Sequence, residues 1–352
     1  MNRFWSDITT RLKPYVPGEQ PAGDAFLKLN TNESPYPPSP KVNSTVLDFS
    51  LSKLSLYPDP DCKILVDALS RRFNVDDENI FVGNGSDEVL AHTFAGLLRQ
   101  ERPLRFPDIS YGFYSVWANL FDVETEVMPI KNDYSIDIDD YLDIDAPIII
   151  ANPNAPTGLV LDLKDIERLV SGNPNSVVVI DEAYIDYGGD SAVPLVKKYQ
   201  NLLVVQTFSK SRALAGTRVG YAIGQAHLIQ ALKRIKDSFN SYPVDTFSQA
   251  TAVASLADDD YFKECCYRIC ESRKSLTDGL IKLGFEVLPS QANFVLVSHP
   301  DLSGASLYNE LYKRKILIRY WDIPRLQAYA RITIGSESQC KQLLSELEKI
   351  VA

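Results

Sequence analysis

Histidine is scarce in this chain. Only His92, His227 and His299 occur among 352 residues, and they stand far apart. That spacing argues against a metal centre built on imidazole. Cysteine is also thin: Cys62, Cys265, Cys266, Cys270 and Cys340 are odd in number and form no C-x-x-C pair. Three of them fall in the helix-like stretch YFKECCYRICESRKSL, where small apolar side chains explain them better than a thiolate site. Positive charge is in deficit. A net charge of −10 and a sequence pI near 4.9 repel nucleic acid and anionic membrane, leaving room only for local Arg and Lys sites that hold small anions. No run of about 18 apolar residues occurs, and MNRFWSDITTRLKPYVPGE lacks the apolar stretch of an export signal. The expectation is a reduced, cytoplasmic protein with neither membrane nor nucleic acid as partner. Internal repeats and low-complexity tracts are absent as well.

What is present is an ordinary globular composition, 45% hydrophobic and 23% charged. The length suits one large α/β domain with a smaller one beside it. Proline and short polar runs punctuate the start (LKPYVPGEQPAGD, LNTNESPYPPSP, YPDPD), which reads as an arm packed on a neighbour or lining a site. Regular texture then begins. CKILVDALSRRFNV is apolar at helical spacing, and NIFVGNGSDEVLAHTFAGLL reads as strand, glycine turn and helix. APIIIANPNAPTG, SVVVIDEAY and NLLVVQTFSK are short buried strands, with LKDIERLVSG a helix between the first two. Such β-branched runs alternating with helices indicate a parallel sheet covered on both faces. HLIQALKRIKDSF and the stretch from Thr246 to Leu283 read as helical. After Gly284 the texture becomes α+β: FEVLPSQANFVLVSH, KILIRYW and ARITIGS as strands, LSGASLYNELYKR and ESQCKQLLSELEKIVA as helices.

Ligands of open parallel sheets sit beyond the carboxyl ends of the strands. Four polar motifs fall at such ends: GNGSDE (83–88), NPNAPTG (152–158), DEAY (181–184) and TFSKSRALAGTR (207–218). In the first, glycines allow close backbone approach, and Ser86 with Asp87 opens a helix whose N–H groups make an anion cradle. Alone, that motif is better read as any capped helix after a turn. Asp181 closes the run VVVI, so its carboxylate is desolvated and needs a partner. A structural ion pair or a helix cap would also serve. Tyr184 either joins it or simply packs. Lys210 follows a buried strand, where burial favours the neutral amine that carbonyl chemistry requires, and Thr207, Ser209 and Arg218 could hold a phosphate. In isolation, a surface lysine leaving a strand accounts for Lys210 better. Together, a nucleophilic lysine, an anion cradle and a buried carboxylate able to face a pyridinium nitrogen are the parts that pyridoxal 5′-phosphate (PLP) demands.

The ordered set LKPYVPGE, LNTNESP, YPDP, GNGSDE, SYGFY, NPNAPTG, DEAY, SKSRALAGTRVGY and ARITIG resembles the fold-type I PLP aminotransferases over nearly the whole chain. LKPYVPG and YPDP point to the histidinol-phosphate aminotransferase branch of the class-II family. The resemblance implies an α/β PLP-dependent transferase fold, with a mostly parallel large-domain sheet flanked by helices, a smaller α+β domain and an N-terminal arm. It divides the chain into an arm, 1–35, counted with the small domain, a large domain, 36–245, and a small domain, 246–352. Lys210 would carry the cofactor as a Schiff base, with Asp181 on the ring N–H and Tyr184 on the ring O3′. Ser86, Asp87 (chiefly by its backbone), Thr207, Ser209 and Arg218 would hold the phosphate, and Tyr111 would stack on the ring. Tyr57 would reach the cofactor phosphate of the other subunit of a homodimer. Arg331 and Arg319 would grip substrate anions, and Tyr15 and Asn32 would cover the substrate. No metal is implied.

One departure from the pattern is Ala155, where the family places an asparagine on O3′. Asn154 is the substitute if the turn is re-aimed. The implied reaction passes an amino group between histidinol phosphate and 2-oxoglutarate. Aromatic amino-acid transamination, threonine-phosphate decarboxylation and a non-catalytic PLP-binding role are the competing readings. A plain nucleotide-binding protein lacks its phosphate-loop motifs here.

Overall fold

The computed structural model describes residues 3–21 and 26–352. In chain order its strands are β1 (Leu27–Lys28), β2 (Ile80–Gly83), β3 (Leu104–Pro107), β4 (Thr125–Met128), β5 (Ile148–Ala151), β6 (Val178–Asp181), β7 (Leu202–Thr207), β8 (Gly220–Gly224), β9 (Glu286–Val287), β10 (Phe294–Ser298), β11 (Ile316–Leu317), β12 (Arg319–Tyr320) and β13 (Tyr329–Thr333). The larger sheet runs β2-β8-β7-β6-β5-β3-β4. All its strands are parallel except β8, which is antiparallel to both neighbours. The exception has a local cause. Only residues 208–219 separate β7 from β8, and they hold no crossover helix, so the chain turns back on itself. That reversal sets Thr207 opposite Gly220, and Gly220 opposite Gly83. The ends of β2 and β7 and the loop between β7 and β8 therefore share one edge of the sheet.

Period-two alternation sorts the central strands onto two cores. Ile148, Ile150, Val178, Ile180, Leu202 and Val204 pack with Leu65 and Leu69 of helix Lys63–Phe73 and with Ile166 and Leu169 of helix Leu163–Ser171. Ile149, Val179, Leu203 and Val205 face the other way, onto helices Gly85–Thr93, Phe113–Leu120 and Ala226–Phe239. Each such side chain contributes roughly 1.5–3 kcal/mol by leaving water, so the strand ends are held on a rigid frame.

The second layer is the antiparallel sheet β12-β13-β10-β9. Val295, Val297, Ala330 and Ile332 pack there against helices Asp259–Lys282, Gly304–Lys313 and Glu337–Val351. The arm is tied to this layer, since β1 pairs in parallel with β11 and Leu29 enters the same core.

The expected fold class is the one observed, with some differences of detail. The helical stretch from Thr246 to Leu283 is two helices, broken at Ala257 and Asp258. The first of them packs Ala252 into the large-domain core, so that core extends one helix past the expected boundary at 245. Strands β3 and β4 and helix Phe113–Leu120 are additions to the elements expected from sequence. β4 is an exposed edge strand, and β3 carries an arginine and a proline within LRFP. Neither shows the apolar run that marks β5 to β7.

Candidate active site

The carboxyl ends of the parallel strands, the arm and the small-domain sheet enclose a cavity of about 350 Å³. Ser86, Asp87, Tyr111, Asp181, Tyr184, Thr207, Ser209, Lys210 and Arg218 line it from the large domain, and Arg319 and Arg331 from the small one. Tyr15 and Asn32 reach it from the arm. Thirteen of the fifteen residues singled out in the sequence thus face one space.

Lys210 lies in the reversal loop. Its Nζ donates to the Thr31 carbonyl at 3.2 Å and sits 5.6 Å from the centre of the Tyr184 ring. Asp181 is the last residue of β6 and is buried. Its partners are neutral: the Tyr114 hydroxyl donates at 2.8 Å and the Ala183 N–H at 3.2 Å. Burial pushes this carboxyl up to about 6, against the opposing pull of those two hydrogen bonds. A cation placed on it would relieve that cost.

At the end of the cavity where a phosphate is expected, helix Gly85–Thr93 points its N-terminus inward. Arg218 donates to the Asp87 carboxylate and to the Ser209 hydroxyl, each at 3.3 Å, and the Ser209 N–H donates to Thr207 Oγ1 at 3.1 Å. The Asp87 carboxylate also accepts from the Tyr111 hydroxyl at 2.9 Å, which fixes the ring that stands over the cavity. With its carboxylate so engaged, Asp87 has its backbone N–H left for an anion. Two glycines keep the cradle tight. Gly85 adopts φ +81°, and a Cβ there would meet the Arg218 guanidinium at 2.5 Å. A Cβ on Gly220 would lie 2.2 Å from the Ser86 nitrogen.

On the opposite wall, Arg331 donates through Nη2 to the Asn30 carbonyl at 3.0 Å, while its buried Nε has no partner among the described residues. Arg319 donates to the carbonyls of Val16 at 3.0 Å and Pro17 at 3.3 Å. Both guanidiniums lie against Trp321, at 5.3 Å for Arg319 and 5.1 Å for Arg331. Tyr15 stacks on Phe113 at 4.3 Å between ring centres.

Two expected residues lie elsewhere. Asn154 is buried, but its amide donates to the Ile109 carbonyl at 2.9 Å and accepts from Ser110 Oγ at 2.9 Å. It stitches the turn to the loop after β3, and Ala155 forms the cavity wall instead. The turn is not re-aimed, and Asn154 does not substitute for the missing asparagine. Tyr57 is 83% exposed and stacks on Tyr242 at 4.8 Å, outside the cavity of its own chain. Conversely, the sequence reading misses Tyr114, which is one more aromatic in SYGFY, and Trp321, for which the one available signal is an aromatic two residues after Arg319 in IRYW.

Fold and site together define a class: two-domain α/β enzymes that work through a lysine beside a buried carboxylate and an anion cradle. The chain belongs to the aminotransferase class I and II family, whose model matches residues 24–347. Its relatives include histidinol-phosphate aminotransferase 2 of Rhizobium meliloti (strain 1021), 53% identical over 351 residues and 100% of both chains. The protein of the same name from Dechloromonas aromatica (strain RCB) is 50% identical over 354 residues, 99% of each. Among solved structures, histidinol-phosphate aminotransferase from Sinorhizobium meliloti in complex with pyridoxal-5′-phosphate aligns with a TM-score of 0.89 at 25% identity, over 99% of this chain and 98% of that one.

The residues present fit that cofactor. The hydroxyls of Ser86 and Ser209, Arg218 and the helix N-terminus suit its phosphate. Asp181 suits a protonated ring nitrogen, and the Lys210 amine suits its aldehyde. Among the described residues no group of three or more His, Cys, Asp or Glu could hold a metal ion, and no helix is long and apolar enough to cross a membrane.

Proposed function

We propose that this aminotransferase passes an amino group between histidinol phosphate and 2-oxoglutarate, a step of histidine biosynthesis, and that it does so as a cytoplasmic homodimer. The observation that carries the reading is that Lys210 and Asp181 line one cavity whose opposite wall offers two arginines. When bound, pyridoxal phosphate supplies an aldehyde that takes the amino group and a ring that accepts the electron pair left on the substrate carbon. With the cofactor bound, the Lys210 amine would be the group placed to take the proton from the substrate Cα and to return it, as base and then as acid. Asp181 would hold the ring nitrogen protonated, and in this buried setting that interaction would be far stronger than in water. Tyr184 serves the ring O3′ without help from position 155. Ser86, Asp87, Thr207, Ser209 and Arg218 anchor the phosphate, and Tyr111 covers the ring.

Histidinol phosphate carries a phosphate and no carboxylate, whereas glutamate carries two carboxylates. One site must serve both, and the Nε of Arg331, without a partner among the described residues, supports that residue as the shared anion contact. Tyr57 supports the dimer. It is exposed in the single chain, as are Leu47, Leu51, Leu54 and Leu56 just before it in sequence, and such exposed apolar side chains suit burial against a second copy.

The test is a half-reaction. Histidinol phosphate added to the cofactor-loaded protein is expected to bleach the visible absorbance of the lysine-linked cofactor, and 2-oxoglutarate to restore it. Lys210→Ala is expected to abolish both the band and turnover. Full turnover in that variant, or a band indifferent to histidinol phosphate but bleached by phenylalanine, would overturn the proposal.

A further inference from the structure

Position 155 offers no polar side chain, and Asn154 is spent on the loop after β3. Tyr184 is therefore left as the side-chain hydroxyl beside Lys210, and the direction of its single proton matters. The structure assigns that direction to Asn32: we infer that Asn32 is a positioning residue that points the Tyr184 hydroxyl proton into the cavity. This rests on the cofactor reading above.

The Asn32 backbone N–H donates to Thr333 Oγ1 at 3.0 Å, which occupies a lone pair of that hydroxyl. The hydroxyl's own proton goes to Asn32 Oδ1, also at 3.0 Å. With Oδ1 fixed as acceptor, the other end of the amide is the donor, and Nδ2 donates to the Tyr184 hydroxyl at 2.9 Å. Tyr184 thus accepts on the arm side. Its own proton has no acceptor among the described residues and must turn elsewhere, and both Tyr184 and Asn32 line the cavity. The chain of donors begins on β13 and ends in the site, so the small domain sets the polarity of a large-domain phenol. Asn32 itself is held by the Asn293 side chain, which donates to its carbonyl at 2.9 Å. Its φ of 58° lies in the left-handed region, which Asn, Asp and Gly accept and most residues resist.

Asn32→Asp is the informative variant because it keeps the shape and the backbone preference while turning a donor into an acceptor. Tyr184 would then give its proton to the arm and present a lone pair to the cavity. The cofactor-loaded parent, Asn32→Asp, Tyr184→Phe and the double variant are titrated from pH 5 to 9 by the visible band. A donor on the ring O3′ stabilises the deprotonated form of the lysine-linked cofactor, so losing it raises the midpoint. The expected rise is about one unit in each single variant, with no further rise in the double. A midpoint in Asn32→Asp equal to the parent's, with Tyr184→Phe shifted, overturns the inference. So does an additive double, which would mean that the new carboxylate acts by charge alone. Asn32→Gly, neutral and tolerant of the same φ, is expected to shift the midpoint the same way by less, and it carries the test if Asn32→Asp does not fold. A visible band whose midpoint Tyr184→Phe leaves unmoved overturns the role of Tyr184 but not the cofactor. A parent with no visible band removes the cofactor reading and this inference together.

Discussion

Asp181 shows how much a single residue's surroundings decide. Its carboxyl is pushed up to about 6 because burial outweighs two neutral hydrogen bonds. A folded-state value above the unfolded one means that the folded chain binds the proton more tightly. The associated stability is present in acid and is lost as pH rises through about 6. In the cofactor-free protein the loss between pH 5 and pH 8 should be on the order of 1.4 kcal/mol. Asp181→Asn removes this slope, so the parent's unfolding temperature should fall more than the variant's between those two pH values. Equal falls would show that Asp181 is ionised throughout. The neighbouring Glu182, pushed up to about 7 by the same cause, is common to both proteins and cancels. Neither Lys210 nor Asp181 is legible alone, since a surface lysine or a structural ion pair would explain each; they become legible because several polar motifs fall together at strand ends in one ordered set. Asn154 misleads for a plain reason: adjacent residues of a turn face different ways, and composition does not say which faces the ligand. Tyr114 escapes notice because nothing in SYGFY distinguishes the tyrosine that meets the cavity from the one that bonds Asp181 beneath it.

The elements act through close approach. Gly220 begins β8 where the helix Gly85–Thr93 starts, and an added Cβ would lie 2.2 Å from the Ser86 nitrogen and 2.4 Å from the Gly85 carbonyl carbon. Both are backbone atoms, so the strand or the helix must move. Gly220→Ala should cost about 3 kcal/mol of stability, at the upper end of ordinary overpacking. It should also loosen the cofactor, since the displaced helix start is the proposed phosphate cradle. Gly216, where an added Cβ would meet nothing within 4 Å, is the control. Thermal unfolding and cofactor retention on gel filtration should change in Gly220→Ala and not in Gly216→Ala. Equal behaviour would show that the helix start is not held by β8. Elements of this kind are legible where one periodicity dominates. β5, β6 and β7 are buried along their whole length and announce themselves as apolar runs. β4 is mostly exposed and so carries no such pattern. The break at Ala257 and Asp258 has neither glycine nor proline to mark it, and tertiary packing of two helices on different cores decides it.

At the scale of the whole molecule, the site draws on three distant parts of the chain. Residues 30–32 of the arm touch three site residues in succession: Asn30 accepts from Arg331, Thr31 accepts from Lys210, and Asn32 donates to Tyr184. The arm can do this because β1 is fastened to β11 and the Asn32 N–H to Thr333. Its punctuation by proline is readable, but its destination is not, because pairing partners nearly three hundred residues apart leave no local trace. Tyr57 extends the same logic beyond one chain. It is exposed, outside its own cavity and follows a stretch of the chain with four exposed leucines. If it serves the phosphate of a second copy, each site contains Lys210 from one subunit and Tyr57 from the other. Two separately inactive proteins, Lys210→Ala and Tyr57→Ala, then become a test of the assembly. In a two-fold dimer made of one of each, one site collects both defects and the other collects neither. Equal mixing with subunit exchange makes half of the dimers hybrid, each with one intact site in two, so activity should return to roughly a quarter of the parent's. Recovery requires that Tyr57 act across the interface. If Tyr57 acted within its own chain, every site in the hybrid would carry one defect, and mixing would recover nothing.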